Sequence, residues 1–249
     1  LSTYSVTFDY STLDEALDKN DIKILELDKE GSVPELKVVN KSSTMILILD
    51  GEELVGAKQN RIVNTTILIP ADSTIVIPVS CVEQGRWSYE SSTFSSKERI
   101  MSSNLRAMKS RQVNYSVRER GTFRSDQGAL WEGISEKAHR HEACSPSMAM
   151  SEIYEKEKPV LGKYTDAFNN TESQIGAVFM IDGKIAGMDC FGKAETFSSV
   201  FKKLIGSYAL DAIDWFKEDK EFKVLESEVT KFLKETSKSS IETHKSVGE

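Results

Sequence analysis

The chain has 249 residues and a mass of 27.9 kDa, which fits one large domain or two small ones and excludes a repeat array or a mini-protein. Hydrophobic residues make up 39% and charged residues 29%, so the composition is that of a globular protein and not of a disordered one. The net charge of -7 argues against a nucleic-acid coat, and the apolar runs are too short to span a bilayer.

The first half of the chain is predicted to be rich in β-strands. Thr12 and Glu15 have the spacing of a capping box, which predicts a short helix through residue 17. Strands are predicted at residues 22–27, 36–39, 45–49, 67–70 and 75–78. The link at residues 71–73 predicts a hairpin between the last two strands, and the continuous apolar runs predict strands that are buried on both faces.

The second half is predicted to be mainly helical. Residues 97–168 have helical patterns, which begin with an apolar stripe on a basic stretch. A hairpin is predicted across residues 175–191, because Asp182 and Gly183 are typical of a type I′ turn. Two further helices are predicted at residues 197–216 and 221–234.

These elements predict an α+β fold. The N-terminal half is expected to form an antiparallel or mixed sheet or sandwich, on which helices from the central and C-terminal parts pack. We predict one domain at residues 4–216, a helical extension at residues 217–236 and a polar tail at residues 237–249.

The charge is unevenly distributed along the chain. Residues 97–124 contain eight basic and two acidic residues, a net charge of +6, so the remainder carries -13. Aromatic side chains are sparse in this segment, which disfavours nucleic-acid binding. We interpret it either as a face that compensates the acidic remainder or as a source of arginines for the phosphates of a small nucleotide.

The most unusual polar segment covers residues 50–64. Amides and a guanidinium beside glycines suggest specific hydrogen bonding, although an ordinary polar hairpin has a similar composition. The candidate site residues of this segment are Glu53, Lys58, Gln59, Asn60, Arg61 and Asn64.

Two further clusters carry candidate site residues. Glu83, Arg86 and Trp87 follow a predicted strand and could supply an acid or base, a phosphate ligand and a stacking face; the alternative is an ion pair beside a tryptophan at the rim of the core. Asp126 and Gln127 precede a predicted helix, where they form either an anion site or a plain helix cap.

No metal site is predicted, and the residues indicate no particular cofactor. His139, His141 and Cys144 are of types that bind zinc, but the His-x-His spacing places the two rings on different faces of a helix. We interpret this segment as the surface end of a helix. The three cysteines are far apart and suggest a reducing environment, so we expect a cytoplasmic protein.

Several of these segments together resemble a known family. The matching parts are residues 49–61 with Glu53, Asn64, and residues 77–83, 85–87, 94–96, 124–127, 176–177, 195–197 and 208–211. From about residue 10 to residue 216 they resemble the prokaryotic ARG and rhodanese-phosphatase-superfamily-associated protein family. Its name reflects gene association with ADP-ribosylglycohydrolases and rhodanese-type phosphatases, which implies a role in handling NAD or ADP-ribose. The resemblance carries over no catalytic residue.

Two functions follow as hypotheses. The first is an enzyme that acts on a small phosphorylated ligand such as ADP-ribose, with Glu53 and Glu83 as acid and base and Lys58 stabilising negative charge. The ligand-binding residues would be Gln59, Asn60, Arg61, Asn64, Arg86, Trp87, Asp126 and Gln127. The second is a non-catalytic module that recognises an ADP-ribosyl group or a protein partner. A third interpretation makes residues 50–61 a self-association edge.

Overall fold

A computed structural model describes residues 6–215 and 226–247 and confirms the α+β prediction. The strands are β1 (Tyr10–Thr12), β2 (Ile22–Leu25), β3 (Glu35–Asn40), β4 (Met45–Ile48), β5 (Glu52–Gly56), β6 (Arg61–Val63), β7 (Ile67–Ile69), β8 (Ser73–Cys81), β9 (Phe94–Ile100), β10 (Gly176–Ile181) and β11 (Lys184–Cys190). The helices are α1 (Leu13–Asp18), α2 (Ser103–Arg120), α3 (Gln127–Arg140), α4 (Ser151–Ala167), α5 (Ala194–Trp215) and α6 (Glu226–Thr236). None of the helices in these ranges combines the length and the apolar character that crossing a membrane requires.

The strands form three sheets. The largest is antiparallel and has the order β2-β3-β8-β6-β5-β9. A smaller sheet has the order β1-β4-β7, in which β1 is parallel to β4, and β10 pairs with β11 as a separate hairpin. Because β5 and β6 both lie inside the large sheet, residues 50–61 are not an edge, and the self-association interpretation is wrong.

The large sheet is buried on both faces in its centre. Val63 packs with residues of the small sheet, such as Ile46 and Ile69, in one core. The preceding residue, Ile62, packs with residues of the helices, such as Leu130 and Ile153, in another. Since successive residues of a strand point to opposite faces, one face of the sheet covers the small sheet and the other carries the helices.

Local signals in the sequence were reliable. The Glu15 carboxylate accepts a hydrogen bond from the backbone amide of Thr12 at 2.8 Å, as the capping box predicts. Asp182 and Gly183 both have positive φ, 50° and 73°, as a type I′ turn requires. The long helix predicted near the C-terminus is α5. Part of the next predicted helix, residues 221–225, and the predicted domain boundary at residue 216 lie outside the described residues.

Three predictions about strands were wrong. The strands β7 and β8 do not form a hairpin, because β7 pairs with β4 and β8 pairs with β3 and β6. In β4, fully buried Ile46 and Ile48 alternate with partly exposed residues, so this strand is not buried on both faces. Residues 97–100, predicted as helix, belong to β9, which buries only its terminal residues Phe94 and Ile100.

Half of the basic residues in segment 97–124 form ion pairs with acidic residues outside it. These pairs are Arg99 with Glu155, Arg106 with Asp189, Lys109 with Asp50 and Arg118 with Glu242. The charge-compensating interpretation therefore holds for these four side chains.

The predicted surface position of the histidine segment was wrong for His141. This residue follows α3 and is buried, with Nε2 at 2.7 Å from the Asp214 carboxylate and Nδ1 at 3.0 Å from the Glu157 carboxylate. Burial lowers the pKa of the imidazole, but the two acidic partners outweigh burial and raise it overall.

Candidate functional site

The loop between β5 and β6 meets the loop that follows β8. The Arg86 guanidinium donates hydrogen bonds to the Ala57 carbonyl at 2.7 Å, to Asn60 Oδ1 at 3.1 Å and to the Glu83 carboxylate at 2.5 Å. The backbone amide of Asn60 donates to the same carboxylate at 3.0 Å. Two of the predicted clusters are therefore brought together.

The Glu83 carboxylate is fully engaged in this network. Its second oxygen accepts a hydrogen bond from the Ser147 hydroxyl at 2.7 Å. Burial raises the pKa of Glu83, but the hydrogen bonds from Arg86, Ser147 and a backbone amide outweigh it and hold the pKa below its ordinary value. Glu83 is thus an ionised anchor for the two loops and a poor proton donor.

Gln59 connects this network to the adjacent strands. Its Nε2 donates to the Glu83 carbonyl at 3.0 Å, and its Oε1 accepts from Arg61 Nη1 at 3.1 Å and from the Cys81 thiol at 3.3 Å. Burial raises the pKa of that thiol, so Cys81 is held as a neutral donor. The amide therefore fixes the position of the Arg61 guanidinium.

Trp87 forms the outer layer of the site. About half of this residue is exposed, at 48%, and the Lys58 amine lies 5.0 Å from its ring centroid and 5.1 Å from that of Tyr89. The amine also donates to the Glu30 carbonyl. Lys58 is therefore a buried residue whose amine is held between two aromatic faces, a cation–π arrangement.

Arg61 lies beneath the same tryptophan. Its side chain is fully buried, and its guanidinium carbon is 5.8 Å from the Trp87 centroid. Nη1 is bound to Gln59, whereas Nε and Nη2 have no hydrogen-bond partner among the described residues. Burial lowers the pKa of this guanidinium. A buried cation with two unpaired nitrogens is costly, and such a group calls for a further partner.

Glu53 lies on the opposite face of the large sheet. It is aligned with Ile62, which faces the helices, whereas Arg61 is aligned with Leu54, which faces the small sheet. Directly opposed residues of antiparallel strands share a face, so Glu53 and Arg61 point to different sides. The structure thus separates Glu53 from Arg61, with which it was grouped.

The Glu53 carboxyl is fully buried and makes no hydrogen bond with the described residues. Burial raises its pKa to about 7, although the positive charge of Arg99, with Nη1 at 3.8 Å, opposes the rise. A carboxyl that titrates near neutral pH has the property required of a general acid or base. Arg99 and Tyr154 separate it from a cavity of about 710 Å³.

A family model matches the whole chain, residues 1–249, and is described as the ARG and Rhodanese-Phosphatase-superfamily-associated Protein domain. The chain belongs to this family. The resemblance found from the sequence motifs is thereby confirmed, and the match continues past residue 216, where the motifs ended. Neither the curated proteins nor the solved structures contain a match to this family member.

The side chains of three predicted ligand-binding residues form hydrogen bonds with other parts of the protein. Asn64 donates to the Phe123 carbonyl at 2.9 Å, and Asp126 caps α3 by accepting from the Ala129 amide at 3.0 Å. Gln127 forms two hydrogen bonds of 2.8 Å with the backbone amide and carbonyl of Cys81. In this family member these side chains hold the end of β8 and the start of α3.

Sequence reasoning missed four residues around the two sites. Tyr89 and Ser147 complete the network near Trp87, and Arg99 and Tyr154 cover Glu53. Arg99 was visible only as one member of the basic segment. The other three are distant in sequence or lie in loops, and no local pattern marks them.

Proposed function

We propose that the protein binds a small phosphorylated ligand of the ADP-ribose type at the Trp87 site, defined as Lys58, Arg61, Arg86 and Trp87. The supporting observation is Arg61, a fully buried guanidinium with two nitrogens that have no partner among the described residues. A phosphate is a suitable partner, because a guanidinium binds two phosphate oxygens in parallel.

The remaining groups of the site suit the rest of such a ligand. Trp87 is half-exposed, so a base can stack on the accessible part of its ring. The Lys58 amine lies over the same ring, at 5.0 Å from its centroid, and adds a second positive charge. The family name and the resemblance described above favour ADP-ribose over other phosphorylated ligands.

The geometry favours a binding module over an enzyme. Glu83 is the predicted carboxylate that lies at the Trp87 site, and its oxygens are occupied by Arg86, Ser147 and a backbone amide. Glu53, the carboxyl with a pKa near neutrality, lies on the other face of the sheet. The site therefore has groups to hold a phosphorylated nucleotide, and neither of the two carboxyls predicted to be its acid and base is free beside it.

Thermal unfolding with ADP-ribose tests this proposal. At a ligand concentration of about one hundred times Kd, binding to the folded state adds about 2.7 kcal/mol, which raises the Tm by several degrees. We expect Trp87→Ala to remove most of this rise. Tyr115→Ala, which removes an exposed ring on α2, is the matched control and should leave it intact.

Chromatography of the ligand after incubation separates binding from catalysis. We expect ADP-ribose and NAD to be recovered unchanged. Products that depend on folded protein would favour the enzyme hypothesis. The absence of any Tm rise at millimolar ADP-ribose, with Trp87→Ala equal to the unaltered protein, would refute the proposal.

A further inference from the structure

A second site lies away from Trp87, in the cavity between β9, α4 and α5. We call this cavity, with a volume of about 710 Å³, the Arg99 cavity. Its size is within the range of about 300–1,000 Å³ that is typical of small-molecule sites. None of the four residues of the Trp87 site lines it.

The lining of the Arg99 cavity is positively charged. Five basic residues and two acidic residues line it: Lys97, Arg99, Lys158, Lys202, Lys203, Asp14 and Glu98. Lys203 is already paired with Asp14 and with Glu52. The cations left to face the cavity exceed the remaining acid, in a chain whose net charge is -7. Such a concentration of charge favours an anionic ligand.

Arg99 is the best placed of these cations. Its guanidinium stacks at 5.6 Å from the ring centroid of Tyr154, and it binds the half-exposed carboxylate of Glu155. Behind it lies the buried carboxyl of Glu53, at 3.8 Å from Nη1. Arg99 therefore has one half-exposed partner and one interior partner that forms no hydrogen bond.

The protonation of Glu53 depends on that guanidinium. Lys97 and Arg99 of β9 favour its charged form, while burial, Glu83 after β8 and Glu155 of α4 favour the neutral form. From α4, the buried phenol of Tyr154 also faces Glu53. Burial already brings the pKa of Glu53 to about 7, so this carboxyl is partly neutral at pH 7, and a small loss of positive charge near it shifts it further to the neutral form.

We propose that the Arg99 cavity binds a phosphate monoester, that Arg99 is its main phosphate ligand, and that Glu53 takes up a proton from solvent when Arg99 turns to the phosphate. The phosphate dianion replaces the two carboxylates as partner of the guanidinium. Glu53 then loses its nearest cation and becomes neutral. Binding is thereby coupled to the uptake of a proton.

The organic part of the ligand has apolar surface available in the same cavity. Phe168 and Phe201 line it together with Tyr154, and the side chains of Asn169 and Asn170 add hydrogen-bonding groups. An aromatic or sugar phosphate therefore suits the cavity better than inorganic phosphate does. We choose phenyl phosphate as the probe.

Calorimetric titration with phenyl phosphate between pH 6 and pH 8 tests the coupling. The effect of pH on the protonation of phenyl phosphate itself is the same for every variant, so it cancels when two proteins are compared. We assume that the proton affinity of Glu53 rises tenfold when phenyl phosphate binds. The affinity of the unaltered protein for the probe then falls roughly fivefold more from pH 6 to pH 8 than the affinity of Glu53→Gln does. Identical pH profiles for the two proteins would overturn the role of Glu53.

Variants of the cavity test its location. We expect Arg99→Ala to weaken binding about tenfold or more, and Lys158→Ala to weaken it less. Lys163→Ala, on the same helix but outside the lining, is the matched control and should bind as the unaltered protein does. Circular dichroism checks that each variant is folded.

The same titration distinguishes the two sites. Trp87→Ala should leave the affinity for phenyl phosphate unchanged, whatever its effect on ADP-ribose. If Trp87→Ala abolishes binding while folded Arg99→Ala and Lys158→Ala keep it, the probe binds at the Trp87 site and the proposal for the Arg99 cavity is wrong.

Discussion

Glu53 and Arg61 are two fully buried ionisable residues that meet the cost of burial differently. A charge removed from water loses several kcal/mol of solvation unless it is paired or neutralised. Glu53 can lose its charge, because a pKa of about 7 allows it to be neutral at moderate pH. The arginine keeps its charge and lies against Gln59 and the Trp87 ring. Its two unpaired nitrogens are the reason to expect a ligand beside it.

The pKa of Glu53 predicts how stability changes with pH. The folded state binds this proton more tightly than the unfolded state, whose carboxyl has a pKa near 4.5, so the contribution of Glu53 to stability falls as the pH rises from about 4.5 to about 7. The loss amounts to about 3 kcal/mol. Glu53→Gln removes it, so this variant should gain stability relative to the unaltered protein as the pH rises.

Urea unfolding of both proteins at pH 5 and pH 8 measures this difference. Glu132→Gln, at an exposed carboxyl on α3, serves as the control and should follow the unaltered protein at both pH values. A stability difference between Glu53→Gln and the unaltered protein that does not change with pH would contradict the assigned pKa.

At the scale of the elements, the end of β5 determines whether the two loops of the Trp87 site can meet. Gly56 has a φ of +124°, a backbone conformation that residues other than glycine rarely adopt. A Cβ at this position would lie 2.9 Å from the Thr93 carbonyl oxygen and 2.5 Å from the Ser91 hydroxyl. Only glycine therefore allows the chain to turn here beside β9.

Two glycine substitutions should have opposite effects on the free energy of unfolding. Gly56→Ala is expected to lower it by about 2–3 kcal/mol, because the added methyl group meets backbone and strains φ. Gly162 lies within α4, and outside its own turn of helix no described atom is within 4 Å of an added Cβ, so Gly162→Ala should raise the free energy by about 0.5–1 kcal/mol. Urea unfolding measures both, and equal effects would refute the argument.

Elements that depend on residues close together in the sequence were predicted correctly, and elements that depend on distant residues were not. The capping box at Thr12 and the turn at Asp182 depend on neighbouring residues, and the sequence was sufficient for both. The pairing of β7 with β4 depends on which strands meet in space, which a link of three residues does not determine. The strand β9 buries only Phe94 and Ile100, so it lacks the alternation that identifies a half-buried strand.

For the candidate site, the sequence indicated which residues to consider but not on which face of the sheet each of them lies. Chemistry alone singled out Lys58, Arg61 and Arg86, and the structure brings them around Trp87. The position of Glu53 depends on the alignment of β5 with β6, which sets the face of each side chain. The sequence does not reveal that alignment. Residues that are close together in the sequence were therefore assigned to one site, although they lie on opposite faces of the sheet.

At the scale of the whole molecule, buried ion pairs connect the helices to one another and to the sheets. Lys203 of α5 binds the carboxylates of Asp14 in α1 and Glu52 in β5. Lys137 of α3 binds Asp211 and Asp214 of α5. Because each lysine has two acidic partners, its removal leaves uncompensated negative charge in the interior.

Lys203→Met should therefore destabilise the protein strongly. The methionine keeps the apolar volume but leaves Asp14 and Glu52 without their cation, and we expect a loss of about 3–5 kcal/mol in the free energy of unfolding. Lys202→Met changes the adjacent, exposed lysine and should alter it by less than about 0.5 kcal/mol.

Adding Glu52→Gln to Lys203→Met should restore part of the loss, because one of the two unpaired carboxylates is then neutral. Urea denaturation of the unaltered protein, Lys203→Met, Lys202→Met and the double variant provides the comparison. A double variant no more stable than Lys203→Met would show that packing, and not charge, accounts for the effect.

The two hydrogen bonds between Gln127 and the backbone of Cys81 have a consequence for the end of the large sheet. Beyond the last residue paired with β3, no described strand bonds the peptide groups on the outer side of β8 at Cys81, which is fully buried. The Gln127 amide occupies both groups of Cys81 and so imitates one residue of a neighbouring strand. Gln127→Ala should leave both buried groups of Cys81 without a partner and lower the free energy of unfolding by about 1–3 kcal/mol, as measured by urea denaturation.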